Sequence, residues 1–285
     1  MTLSPEQTNE LNVKAARLRE LLQAPEILVM PGAFNVLSAL LFQHLGFQAI
    51  QGSSSGFANA MGYADLAIGR DKTVEVTRMV ASAVTLPVNA DGEDGFGGPE
   101  EVKATVRALA EAGAVGMNME DGDRERRGAL VDVAYQLDKI GAFMDARKVL
   151  GVEFLLNARV DSYIAIRDDR AAALKDAIAR GQAYAEAGAD CVFFFGPSEP
   201  DDIRTLAKEV DAPISILASR MTPGPKELQE LGVARASYGS QFLRMAVGAV
   251  RRFSLELLEK GTHDSLADEA TGPEIKAILE ERNRG

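Results

Sequence analysis

Short apolar runs alternate with amphipathic stretches along the whole chain, which predicts alternating strands and helices. Residues 4–23 read as a helix. Ser4 serves as N-cap, Pro5 suits the first helical position and Gln7 completes a capping box. Leu11, Ala15, Leu18 and Leu22 share one face, and the helix is expected to cover one end of the domain. Continuous apolar runs at 27–30, 47–50, 86–88, 115–119, 154–158, 191–195, 214–217 and 236–238 read as strands buried on both faces. Pro31-Gly32 is expected to break the first of them. Helical spacing fills the intervals at 36–45, 73–84, 99–112, 132–150, 171–187, 201–210, 226–231 and 241–258. A linker at 264–272 precedes a last helix at 273–282, with Ile275, Ile278 and Leu279 on one side.

About eight strand–helix units without a break in composition argue for one (β/α)8 TIM barrel over residues 1–262, with 263–285 as linker and terminal helix. A doubly wound sheet is the alternative. It calls for a glycine-rich fingerprint after the first strand, and Pro31-Gly32-Ala33-Phe34 is not one.

Barrel enzymes carry their chemistry at the C-terminal strand ends. The third run leads into Asn89-Ala90-Asp91-Gly92-Glu93, and the fourth ends in Glu120-Asp121. Adjacent ends lie side by side at one rim, which puts Asp91, Glu93 and Glu120 within reach of one point. Crowded carboxylates repel unless a cation or proton sits between them. Oxygen-only ligands suit Mg²⁺ or Mn²⁺ rather than zinc. The alternative is that these acids merely cap the loops that follow. The fifth run leads to Arg159, whose planar fork suits either a substrate carboxylate or an ion pair with Asp161 or a neighbouring acid. The second run leads into Gly52-Ser53-Ser54-Ser55, read either as a source of backbone N–H groups for an oxyanion or as a tight turn. Residues 122–128 read as a moving lid or as a solvated loop.

Composition narrows the partners. Hydrophobic residues make up 46% and charged residues 26%, as in ordinary globular proteins. A net charge of −11 argues against nucleic acid or an acidic membrane, and means that an anionic substrate needs local arginines or a metal. The single cysteine, Cys191, excludes an internal disulfide and sits in an apolar run where an inert thiol is expected. His44 and His263 fall away from strand ends, so a serine triad is poorly supported. With no basic-then-apolar leader and no long apolar stretch, the chain is expected to be cytoplasmic.

At these residues the chain resembles the isocitrate lyase / phosphoenolpyruvate mutase superfamily. The likeness runs through Pro31-Gly32-Ala33-Phe34-Asn35, Gly52-Ser53-Ser54-Ser55, Met61-Gly62-Tyr63-Ala64-Asp65, Asn89-Ala90-Asp91 to Gly97, Asn118-Met119-Glu120-Asp121 and Ala158-Arg159-Val160-Asp161. The resemblance implies a barrel whose last helix, taken as 273–282, is exchanged between subunits, giving dimers that pair into homotetramers. It implies Mg²⁺ and a small carboxylic acid as ligands. Asp91 and Glu120 would hold the metal, with Asp65 in its outer shell, and Glu93 would compensate for Asn89, where the family has Asp. Arg159 would clamp the substrate carboxylate. Gly52, Ser53, Ser54 and Asn89 would line the substrate, with the Ser53-Ser54 backbone receiving an enolate oxygen. Catalysis would fall to Arg159, Asp65 and Glu120. The lid carries neither the cysteine of the isocitrate- and methylisocitrate-cleaving members nor the motif of the phosphonate enzymes. The resemblance therefore implies a lyase for a 2-oxo or 2-hydroxy dicarboxylic acid, oxaloacetate-like or alkylmalate-like. Phosphonopyruvate-type mutase chemistry and a non-catalytic 2-oxo-acid-binding protein are the alternatives.

Overall fold

A computed structural model describes residues 3–283. The ends of the two expected units, Met1, Thr2, Arg284 and Gly285, lie outside the described residues. Eight parallel strands close into a barrel in sequence order: β1 (Leu28–Ala33), β2 (Ile50–Gly52), β3 (Val88–Asp91), β4 (Gly116–Glu120), β5 (Leu155–Val160), β6 (Cys191–Phe194), β7 (Ile214–Leu217) and β8 (Arg235–Tyr238). The expected (β/α)8 architecture is what the chain adopts.

The departures have physical reasons. β1 runs through Pro31-Gly32 instead of breaking there, because Pro31 pairs with Tyr238 and Gly32 with Gln51. Gly32 is required: a Cβ at this position would stand 2.0 Å from the Gly239 carbonyl oxygen and 2.2 Å from that of Tyr238. β2 lies later than the predicted 47–50, since Gln51 and Gly52 take the ladder partners offered by β1 and β3. The serine loop then winds into a short helix, Ser54–Ala60, which the small polar residues concealed. Ser53 caps it by accepting from the Gly56 N–H at 3.0 Å, and Phe57 anchors it. Burying that ring contributes about 2 kcal/mol.

The helix Pro5–Gln23 forms with its expected capping box, the Gln7 N–H donating to Ser4 Oγ at 3.2 Å and the Ser4 N–H to Gln7 Oε1 at 2.9 Å. Its buried leucines join the main core. Asn12 accepts from the Glu153 N–H and donates to the Gly151 carbonyl just before β5, so the helix covers the end where strands begin.

The terminal helix Gly272–Glu280 lies against Val36–His44 of its own chain, with Ile278 buried and Ile275 packed beside it. His44 Nδ1 meets Glu281 Oε1 at 3.3 Å. The helix Gln241–Lys260 has an uncovered apolar face, where Met245, Val247, Val250 and Leu258 are exposed. No helix among the described residues is long and apolar enough to cross a membrane.

Candidate active site

The C-terminal strand ends surround a cavity of about 670 Å³. Asp65, Asp91, Glu120, Arg159, Ser53 and Ser54 all line it. Gly52, Asn89 and Glu93 do not. A larger hollow of about 1000 Å³ lies beyond Arg124 and Asp94, away from the strand-end cluster.

Parallel register fixes the cluster. Glu120 on β4 pairs with Arg159 on β5, and Asp91 on β3 pairs with Asn118 on β4. Arg159 holds Glu120 Oε2 at 2.6 Å through Nη1 and grips Asp161 through Nε and Nη2 at 2.7 and 2.9 Å. Its guanidinium stacks on Phe195 at 4.1 Å. Both readings of Arg159 are thus compatible with its place. It is ion-paired, yet it lines the cavity and has five N–H donors, more than these contacts use. Burial works against its charge, but Glu120 and Asp161 outweigh burial and raise its pKa.

Asp65 is exposed as a residue, but partial desolvation of its carboxyl, and after it the nearby Asp91, raises that carboxyl above the usual range. Burial chiefly, then Asp161, Asp91 and Glu93, also raises Glu120 despite Arg159. These acids accumulate negative charge that a cation would relieve. Among the described residues no three His, Cys, Asp or Glu form a ready-made metal cage. Mg²⁺ does not need one, since it keeps several waters and takes one or two carboxylates. The oxygen donors of Asp91 and Glu120 therefore fit such an ion.

Three of the expected site residues are engaged by other groups in this structure. The Ser54 N–H and Oγ both donate to Asp91 Oδ2, at 3.0 and 2.8 Å, so in this structure this amide orients a carboxylate. Asn89 is buried beneath the cavity: its amide donates to Asn118 Oδ1 at 2.9 Å, which also receives Asn157 at 2.7 Å. One oxygen of Glu93, Oε2, is taken by Arg124 of the 122–128 loop. Arg124 Nη1 pairs with it at 2.6 Å and with Asp94 at 3.2 Å, while Nη2 donates to the Leu66 carbonyl at 3.0 Å. The Arg124 guanidinium also lies 5.8 Å from the Phe96 ring centroid. Leu66, Glu93 and Phe96 are the described non-glycine residues with positive φ, and all three touch Arg124. Backbone held in that region costs energy and collects at functional sites.

The sequence reading passed over several residues. Asp121 is fully buried and accepts from the Asp161 N–H, the Tyr184 hydroxyl and Arg180 at 2.9, 2.8 and 3.2 Å, backing the residue that grips Arg159. At the rim, Arg127, Arg167 and Arg244 line the cavity, and none has a carboxylate partner within 4.0 Å among the described residues. Clustered basic residues in 124–127 were the available signal for the first of these.

Comparison with known proteins agrees with this architecture. A family model described as phosphoenolpyruvate phosphomutase matches residues 18–258. The 2-methylisocitrate lyase of Escherichia coli is 32% identical over 83% of this chain and 82% of that protein. A phosphonopyruvate hydrolase solved with oxalate and Mg²⁺ is 30% identical, covers 95% of this chain and 96% of its own, and superposes with a TM-score of 0.82. A 2,3-dimethylmalate lyase, from the PEP mutase/isocitrate lyase superfamily, is 26% identical with a TM-score of 0.83, covering 95% and 96% of the two chains. With its barrel, its strand-end acids and this match over most of its length, the chain belongs to the phosphoenolpyruvate phosphomutase family, in the superfamily of lyases and mutases that includes isocitrate lyase.

Proposed function

We propose that this enzyme is a Mg²⁺-dependent carbon–carbon lyase for a small 2-oxo or 2-hydroxy dicarboxylic acid, oxaloacetate-like or alkylmalate-like. The observation that carries the reading is the charge layout of the cavity. Acids and Arg159 occupy the floor, and arginines without carboxylate partners stand at the rim. A ligand matching it carries one carboxylate for Arg159 and a second for the rim. Cys191 is buried in β6, and the lid has no cysteine, so the chemistry proceeds without a thiol.

Asp91 and Glu120 would hold Mg²⁺, with Asp65 facing them from the outer side and Mn²⁺ as a chemically similar substitute. When bound, the ion supplies positive charge to the carbonyl or enolate oxygen beside the breaking bond. Arg159 orients the adjoining carboxylate, Asp161 and Phe195 fix Arg159, and Ser54 fixes Asp91. The relative bound to oxalate and Mg²⁺ supports this arrangement by likeness.

The test is product analysis by NMR with Mg²⁺ and oxaloacetate, citramalate, dimethylmalate, methylisocitrate and phosphonopyruvate. Pyruvate formed from a dicarboxylic acid, abolished by EDTA and by Glu120→Ala, is expected. Turnover of phosphonopyruvate alone, or binding without turnover, would overturn the lyase reading.

We also infer that the chain assembles with copies of itself into a homotetramer, by exchange of the 273–282 helix, with the uncovered apolar face of Gln241–Lys260 as a further contact surface. Light scattering after size exclusion tests this, and a monomer at micromolar concentration would refute it.

A further inference from the structure

Gln51 and Arg235 form a buried pair that the sequence did not lead us to expect. Gln51 lies on β2 between Gly32 of β1 and Asn89 of β3. It is 2% exposed, and it lines the strand-end cavity. Arg235 opens β8 between Leu28 and Ser215, and at 1% exposure it is the bulkiest fully enclosed side chain. Its Nη2 donates to Gln51 Oε1 at 2.6 Å and its Nε to Ser237 Oγ at 2.8 Å. Ser237 Oγ is in turn 2.9 Å from Ser215 Oγ. Among the described residues no carboxylate pairs with Arg235. Burial pushes its pKa down to about 10, so the guanidinium stays charged at neutral pH.

A buried cation with only neutral acceptors is unusual, because removing charge from water is costly without a counter-charge. The arrangement dictates which way Gln51 faces. The two ends of an amide are nearly alike in shape, but a guanidinium only donates. Oε1 must therefore face Arg235, and the Nε2 hydrogens must face away. That NH₂ group has no acceptor among the described residues. The space that Gln51 faces on the side away from Arg235 is the strand-end cavity, which it lines. The result is a pair of N–H donors on an enclosed side chain held at its other end by Arg235, polarised from behind by a full positive charge.

We propose that Gln51 is a substrate-binding residue whose Nε2 donates to an oxygen of the bound acid, and that Arg235 is the positioning residue that fixes the direction of that donation. This rests on the lyase reading above and narrows it. Arg159 stands on β5, separated from β2 by β3 and β4 around the barrel mouth. An acid that engages both residues carries oxygen functions at two separate points, as a dicarboxylate or a 2-oxo acid does.

The test uses oxalate as the probe, with Mg²⁺ present, on wild type, Gln51→Glu, Gln51→Met and Arg235→Met. Gln51→Glu still accepts from Arg235 and gives it a counter-charge, so thermal stability is expected to hold or rise. It offers the ligand no N–H, and oxalate should bind about tenfold to a hundredfold more weakly, the loss expected for a hydrogen bond to a charged group. Gln51→Met should lose a similar factor without adding charge. In wild type, the Gln51 side-chain ¹⁵N–¹H resonances should shift when oxalate is added. In Arg235→Met that shift should shrink, because the amide is free to turn over, an effect that a purely structural role for Arg235 would not produce. Wild type that binds, beside Gln51→Glu and Gln51→Met that bind equally well, overturns this inference alone. Wild type that neither binds oxalate nor turns over any acid of the panel overturns the lyase reading and this inference with it.

Discussion

Replacing Arg124 by methionine removes one guanidinium from the meeting point of three loops. The bonds to Asp94 and the Leu66 carbonyl lie near solvent, where water takes over, and their loss costs about 1 kcal/mol at any pH. Glu93 behaves differently because it is 1% exposed. Burial first, and then Asp91, raises its pKa from 4.5 to about 7 even with Arg124 beside it. An acid raised on folding binds its proton more tightly in the native state. The Glu93 contribution to wild-type stability therefore falls as pH rises from 4.5 to about 7 and levels off beyond. In Arg124→Met nothing opposes the burial, the folded pKa lies above 7, and the decline continues to higher pH. Each pH unit is worth about 1.4 kcal/mol, so one and a half units add about 2 kcal/mol. The variant should be destabilised by about 1 kcal/mol at pH 6 and about 3 kcal/mol at pH 8.5. Urea denaturation in EDTA at both pH values measures this, and adding Glu93→Gln should remove the pH dependence. A penalty that is the same at both pH values, or smaller at the higher, would refute the reasoning.

Other substitutions probe the frame around the site. Gly32→Ala forces a Cβ against two backbone carbonyls and should cost upward of about 3 kcal/mol, read as a large drop in Tm; a loss under about 1 kcal/mol would show that the β1–β8 seam can spread. Asp121→Asn turns an amide N–H toward the Tyr184 hydroxyl and Arg180, and should cost about 3 kcal/mol in chemical denaturation. Burial raises the Asp121 carboxyl from 3.8 to about 6, so this residue's contribution to wild-type stability falls over that range as pH rises, and the Asn variant should lack that slope. Arg159→Lys keeps the charge but loses the fork to Asp161 and the stack on Phe195; Tm should fall modestly and oxalate affinity measured by calorimetry at least about tenfold, and undiminished affinity would remove Arg159 from the carboxylate clamp.

The barrel was legible because parallel strands buried on both faces leave short, unbroken apolar runs, and helices of this length rarely do. The acids at the ends of β3 and β4 were legible for the same reason: they are the first acidic residues after each run. What escaped was decided by partners distant in sequence. Whether Gly52 and Gln51 belong to β2 depends on the ladders of β1 and β3, and the small residues of Ser54–Ala60 say little until Phe57 finds its pocket. Glu93 looked like a ligand beside Asp91, but its backbone turns left-handed at φ 47° and delivers the carboxylate to Arg124. Arg235 directly precedes the 236–238 run and was passed over. The missed signal was a charged residue at an inward-facing position of a strand, which demands an acceptor somewhere across the barrel.

The seam between β1 and β8 also governs how the chain comes to be folded. β1 leaves the ribosome early, yet its closing partner follows roughly 200 residues later, on the order of 10–40 s at usual synthesis rates. Through that interval one edge of the growing sheet has unpaired backbone groups, and such edges recruit other strands. Gly32 deepens the exposure, because the close approach it permits can be made only by the β8 backbone and the carbonyl of Gly239. Nascent chains that stall before Tyr238 should therefore be the ones most in need of chaperones, and closure of the ring the step that ends that need.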